Sequence, residues 1–419
     1  MPIFLSIVLS ITLSIPAHAS ISDWVLRCVT RKRAPLSDER LSTLVTQVFK
    51  VGESDKRITI LIDIPMTEEK TKTWEERNAF AQQWAKALKK QFPDKEIRLA
   101  AYARTGANNG DLPETVKLCS LDGKIPADTN ELDGLDSISL RELLGASQVV
   151  ISPTKFSTTA PLKILAKEFG FRGVTMPSFT LPMVKALNVD FNEVARKCET
   201  VRGHLATSQG AEVVFEVDGK IHRLLVDLRF REAHASSGLN PKPGMVGNLP
   251  SGETYIVPYE GEKPGIPSLT QGVVPVQFGE EVVLYRIEAN RAVEVMTNGP
   301  VSQMERQRLL DNPAYGNIAE LGFGVLQTMG VAPLAGGADE NILLNEKIGF
   351  HLAFGRSDHL GGIVTPAMFS TPDKVVHIDR VYLPTMQPKI KIRRITLHRT
   401  EDVDFELMRD GNYTNGLFR

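Results

Sequence analysis

The chain has 419 residues, of which 42% are apolar and 24% charged, and a formal net charge of −1. This balance excludes a wholly disordered, collagen-like or disulfide-stapled chain, and at about 150 residues per domain it fits two or three domains. It supplies no global field that would favour nucleic acid or an anionic membrane surface. Cys28, Cys119 and Cys198 cannot all pair within one chain, and no CxxC spacing exists for a structural zinc ribbon.

The first predicted element is an uncharged apolar run, Ile3 to Ile15, followed by Pro16 and Ala17-His18-Ala19 ahead of Ser20. Its shape is that of a candidate export signal over residues 1–20 with an A-x-A cleavage site, and it is short for a membrane span of ~20 residues. The basic cluster Arg31-Lys32-Arg33 follows the run instead of preceding it, so a misplaced start or a buried N-terminal helix are the alternatives.

From residue 38 to 200, short apolar runs alternate with amphipathic stretches. Ile58–Pro65 (ITILIDIP) reads as a buried strand, Trp74–Phe92 as a helix and Glu96–Ala103 as a second strand. Leu140–Gly145 reads as a short helix, Gln148–Pro153 as a third strand, Ala160–Phe169 as a helix and Gly173–Pro177 as a fourth strand. This order predicts an α/β domain with a mainly parallel sheet over residues 21–207. No strand is followed by GxxxxGK[ST] or GxGxxG, so a nucleotide cofactor has no support.

A helix is expected from Asp190 to Thr207, after which the chain becomes rich in short strands, Gly and Pro. Ala211–Arg229 alternates around Asp218-Gly219, a strong hairpin signal. A second domain, α+β in character, is expected over residues 208–419. Between Glu232 and Gly247 lies a Ser/Gly/Asn/Pro-dense stretch, read as a lid or a disordered loop. Lys389–Arg399 alternates basic and apolar residues without aromatic interleaving, which predicts a strand with a basic outer face and no nucleic-acid partner.

The second half also carries a sparse set of candidate metal ligands: Glu253, Glu320, His351, His377 and Asp379. His377 and Asp379 stand at i and i+2 of a predicted strand, so both face one side. Two imidazoles and three carboxylates suit one or two borderline cations such as Zn, Mn, Co or Fe. His351, His377 and Asp379 alone would also make the 2-His-1-carboxylate set of mononuclear Fe(II) oxygenases.

The strings NLPSGETYIVPYEG (248–261), AELGFG (319–324), NEKIGFHLAFG (345–355) and HID (377–379) occur in one order, with ligand gaps of 67, 31 and 26 residues. Together they resemble the metal-ligand segments of the aminopeptidase T (thermophilic or leucyl) metallo-aminopeptidases. The likeness covers roughly residues 38–385 and is strongest after 245. The resemblance implies a metal site of Glu253, Glu320, His351, His377 and Asp379 holding two divalent ions (Zn, Co or Mn). It also implies release of N-terminal residues from peptides with a free amino group, a homodimer, and a cytoplasmic location unless the first residues are an export signal. Ring-cleaving Fe(II) dioxygenases of the same fold are the competing relatives, and an inactive metal-binding homologue is a third possibility. The chain departs from the family pattern at Asp358, seven residues beyond His351, where a tyrosine is usual. The stretch IVTPAMFSTPDKVV also lacks the usual N-x-S. Asp358 or His359 is the candidate replacement acid/base, against the alternative of an ordinary solvated turn.

Overall fold

The computed structural model describes residues 36–335, 341–399 and 403–418. The candidate signal segment and Cys28 lie outside these. Helix α1 (Asp38–Phe49) opens with the Ser37 side chain accepting from the Arg40 amide at 3.2 Å and closes at Lys50 in the left-handed conformation. Strand β1 (Arg57–Ile64) is buried at every position after the first, as its isoleucine-rich sequence requires for a strand covered on both faces. Helix α2 (Lys72–Gln91) turns Trp74, Phe80, Trp84 and Leu88 inward. Next come β2 (Glu96–Ala103), β3 (Thr115–Cys119), β4 (Ser137–Ser139), α3 (Leu140–Gly145), β5 (Val149–Ser152), α4 (Thr159–Phe169), β6 (Arg172–Thr175) and α5 (Phe191–Ala206).

Strands β7 (Ser208–Val217) and β8 (Lys220–Asp227) form the expected hairpin, with Asp218 and Gly219 at φ 47° and 76°. The stretch read as a lid or disordered loop instead contains two short strands, β9 (Ala233–Ser236) and β10 (Val246–Asn248). Beyond them lie β11 (Glu253–Ile256), β12 (Gln271–Phe278), β13 (Glu281–Glu288), β14 (Arg291–Val295), α6 (Pro300–Asp311), β15 (Ile318–Gly324) and α7 (Ile342–Asn345). The described chain ends with β16 (Phe350–Gly355), β17 (His377–Val381), β18 (Ile390–Arg399), β19 (Phe405–Arg409) and β20 (Asn412–Tyr413).

The fold is mixed α/β. Three sheets organise it, in the orders β10-β6-β5-β1-β2-β3-β4, β17-β16-β15-β11-β9 and β14-β13-β12-β8-β7-β18-β19-β20. The first is parallel from β10 to β2 and turns antiparallel at β3 and β4. The second and third are antiparallel throughout. Residues beyond the expected boundary thus return to the first sheet, because β10 pairs with β6.

The carboxyl ends of parallel strands, where ligands of open α/β sheets collect, feed the walls of one cavity. Asp63, near the end of β1, fixes one such connection. Its carboxylate accepts from the Lys155 amide at 2.9 Å, the Phe156 amide at 3.3 Å and the Trp74 indole at 3.2 Å. The next residue, Ser157, lines the cavity.

Candidate metal centre

All five candidate ligands lie on four adjacent strands of the second sheet, which carries Glu253 on β11, Glu320 on β15, His351 on β16, and His377 and Asp379 on β17. Register explains how they share a face. Glu320 pairs with Ala353, and Ala353 pairs with Asp379. His351 stands two residues before Ala353 and opposite Gly322, while His377 stands opposite Gly355 and Glu253 opposite Gly324. Side chains recur every second residue on one face, so glycine and alanine alternate with the ligands and leave a shallow basin for them.

All three of these glycines are sterically required, Gly355 because it sits at φ 105° with the Val376 carbonyl oxygen where a methyl would go. A methyl at Gly322 would take the space of the His351 Nε2 atom, and one at Gly324 would strike the backbone at Lys347 and Ile348. The string AELGFG therefore encodes one ligand and two close approaches.

The side chains converge into two triads, Glu253–Glu320–His351 and Glu320–His377–Asp379, each with one donor atom per residue and all three within 4.8 Å of one another. Glu320 belongs to both. Its Oε1 lies 3.4 Å from His351 Nε2 and its Oε2 lies 3.2 Å from His377 Nε2. Glu253 Oε2 is 3.6 Å from His351 Nε2, and Asp379 Oδ1 is 3.7 Å from His377 Nε2. Donors about 2.1 Å from a tetrahedral cation stand about 3.4 Å apart, so the spacing fits metal binding. Each imidazole is also oriented for it. His351 Nδ1 donates to the Gly349 carbonyl at 3.3 Å and His377 Nδ1 to the Arg356 carbonyl at 2.8 Å, which leaves Nε2 as the ligating nitrogen.

The electrostatics of the cluster are strongly coupled. Burial pushes the Glu320 carboxyl up, but hydrogen bonds and charge from His351 and His377 outweigh it and hold the group well below the usual carboxylate range. Burial likewise opposes charge on the rings, yet Glu320, Asp379 and Glu253 raise His351 to about 10, and Glu320 and Asp379 raise His377 to about 9. Glu253 is raised, by burial first, against the opposing pull of Lys347.

Sequence reasoning passed over two residues here except as part of a longer string. Lys347 Nζ lies 2.5 Å from Glu253 Oε1 and 2.6 Å from Glu346 Oε1. The ion pairs raise this lysine despite burial that disfavours its charge. Glu346 lines the cavity and is raised to about 8, chiefly by burial, with Asp379 and Glu253 adding to the shift against the pull of Lys347. Both precede His351 on a segment with no strand or helix periodicity, and the signal available was an acid–base pair held inside an otherwise apolar run.

His359 reaches the cavity, with its ring edge-on to His377 at a centroid distance of 5.0 Å. Burial, then the His377 and Arg356 charges, push it down to about 4, so it is a neutral imidazole at physiological pH. Asp358 is turned elsewhere. Arg356 Nε and Nη2 grip its two oxygens at 2.5 and 3.2 Å; burial pushes its carboxyl up, but the Arg356 hydrogen bond and charge, with His359, together outweigh it and hold the group low.

The cavity has a volume of about 390 Å³. The five ligands, Glu346 and Lys347 form one part of its wall. Other parts come from β9, β10 and the segment between them, and from Asn109, Ser157, Thr159 and Lys163 of the first half.

No protein-family model matches the chain, and no curated protein matches it. Among solved structures it is similar to the 2,5-dihydroxypyridine dioxygenase from Pseudomonas putida KT2440, with a TM-score of 0.56 and 14% identity over 92% of this chain and 100% of that one. It is also similar to AmpT from Thermus thermophilus, an aminopeptidase T, with a TM-score of 0.50 and 13% identity over 90% of this chain and 98% of that one. The likeness shows a shared fold, and both neighbours are enzymes. Among the described residues no helix is long and apolar enough to cross a membrane.

Proposed function

We propose that the chain is a two-metal aminopeptidase that removes N-terminal residues from peptides. The observation that carries this reading is the division of Glu320 between two triads, one oxygen toward each. A mononuclear site has no use for a carboxylate placed in this way. Glu253, Glu320 and His351 would hold one divalent cation, and Glu320, His377 and Asp379 the other. Such a pair, when bound, lowers the pKa of a shared water and polarises a carbonyl.

The chain's own groups supply the rest. Glu346, poised near neutrality inside the cavity, is the proton acceptor and later donor at the attacked bond. Lys347 holds the Glu253 and Glu346 carboxylates in place through its ion pairs and prevents them from turning toward each other. The acidic basin favours a free α-amino group, which an internal peptide segment does not offer. His359 presents a neutral ring beside His377 and is the residue we assign to hydrogen bonding with substrate. The same reading carries a homodimer and a Zn, Co or Mn requirement.

The ring-cleaving dioxygenase reading rests on the similarity to the Pseudomonas enzyme. It needs His351 to join His377 and Asp379 at one iron, whereas His351 groups with Glu253 and Glu320. Elemental analysis with an aminopeptidase panel across Zn, Mn and Co separates the two. Two ions per chain with release of N-terminal residues supports the peptidase, and one iron with oxygen consumption on a dihydroxypyridine overturns it.

A further inference from the structure

We propose that Lys163, with the side-chain amides of Asn109 and Asn248, binds the free carboxylate of a short peptide whose amino end faces the acidic basin. This rests on the peptidase reading and adds a substrate class to it: di- and tripeptides with an unblocked C-terminus.

The cavity is chemically two-ended. Its acidic groups, Glu253, Glu320, Glu346 and Asp379, are all in or beside the two triads. The wall contributed by the carboxyl ends of the parallel strands carries no acid and presents donors. Lys163 lies one turn into α4 and makes no hydrogen bond or ion pair among the described residues. The orientation of Asn109 is fixed, because its Oδ1 accepts from the Ala160 amide at 2.9 Å and from Ser157 Oγ at 3.1 Å. A backbone N–H can only donate, so the Asn109 oxygen is engaged and its NH₂ is the free end. Asn248 is anchored by two hydroxyls, Thr175 Oγ1 at 2.9 Å and Thr159 Oγ1 at 3.2 Å, which also bond each other at 2.7 Å; since hydroxyls accept as well as donate, its amide can turn either end toward the cavity.

The Lys163 ammonium and the Asn109 NH₂, with the Asn248 amide able to turn its NH₂ beside them, form an anion-recognition set. Lys163 is exposed to solvent on the cavity wall, and partial desolvation followed by the nearby Lys167 and Lys347 ammoniums pushes its pKa down. That Lys347 acts on Lys163 also places the donor wall close to the basin. A volume of about 390 Å³ sits at the small end of ligand cavities, which run roughly 300–1,000 Å³. Length is therefore limited while both charged ends are recognised.

The test uses the full chain loaded with Zn or Mn and a stable dipeptide analogue, the β-amino-α-hydroxyacyl-leucine bestatin, beside its isosteric C-terminal amide. Binding of each is measured by titration calorimetry on wild type, Lys163→Gln and Lys163→Arg, with metal content measured on the same samples. The acid should bind wild type about tenfold or more tightly than the amide, as expected for a charge-assisted contact. Lys163→Gln should bring the ratio near one at unchanged metal content, and Lys163→Arg should restore most of it. Equal binding of acid and amide by wild type, or an unchanged ratio in Lys163→Gln, overturns the role of Lys163 and leaves the peptidase reading standing. Failure of both compounds to bind metal-loaded wild type overturns the peptidase reading, and this proposal with it.

Discussion

Replacing Glu320 by alanine should cost the protein both metal ions at once. Each triad has three donors, and Glu320 supplies one oxygen to each. A single substitution thus reduces both from three donors to two. Losing a group that merely supports a ligand costs about 10–100-fold in metal affinity. Loss of a direct ligand should cost at least about 100-fold at each position, which is about 2.8 kcal/mol per ion at 1.4 kcal/mol per decade. Glu253→Ala and Asp379→Ala remove a donor from one triad only, so each should retain one ion. Dialysed proteins analysed for metal should give ratios near two, one, one and zero for wild type, Glu253→Ala, Asp379→Ala and Glu320→Ala. Calorimetric titration of the metal-free proteins measures the affinities directly. A Glu320→Ala protein that keeps one ion at wild-type affinity would refute the shared carboxylate, and a wild type that never exceeds one ion would remove the second centre.

Gly322→Ala replaces no ligand, yet its methyl would occupy the position of the His351 ring nitrogen. It should lose the ion of the Glu253 triad and about 1–3 kcal/mol of stability from overpacking; wild-type metal content in the folded variant would contradict this packing. Metal uptake should release protons, because His351 and His377 are raised to about 10 and 9 in the metal-free protein and both rings are charged at pH 7. The sign follows: affinity of each ion rises about tenfold per pH unit up to its ring's pKa, and calorimetry in buffers of differing ionisation enthalpy should find about two protons released. Release of none would show that the rings are not displaced by metal. Asp63→Ala should destabilise the chain by about 3 kcal/mol, since it leaves the buried Arg77 without its countercharge and removes the acceptor of two part-buried amides. Urea unfolding measures this, and a loss below 1 kcal/mol would count against Asp63 as the clamp of the 155–157 connection.

What the sequence disclosed and what it concealed follow from how local each signal is. β2 and α3 begin and end at the residues that periodicity marks, Glu96–Ala103 and Leu140–Gly145, because each buries a continuous pattern within its own length. The Asp218-Gly219 turn is equally local. By contrast β3 buries only Val116 fully and β4 buries nothing fully, so these strands near and at the sheet edge leave almost no apolar alternation to read. β9 and β10 are four and three residues long, and their pairing partners, β11 and β6, lie well away in the chain. A Ser/Gly/Asn-rich segment of that kind looks like a loop until its partners are in place. The candidate ligands divide along the same line. His377 and Asp379 declare a common face by their spacing, and Gly322, Gly324, Ala353 and Gly355 sit at two-residue intervals from Glu320 and His351, so the basin is written into the strand period itself. Lys163 and Asn109 carry no such mark. They become part of the cavity only because the carboxyl ends of a parallel sheet are brought against an antiparallel one, and no spacing within either segment encodes that meeting. The ligand half of the site is therefore a property of one sheet, whereas the half that would discriminate among substrates is a property of how two sheets pack, which is where substitutions can change specificity without disturbing the metal centre.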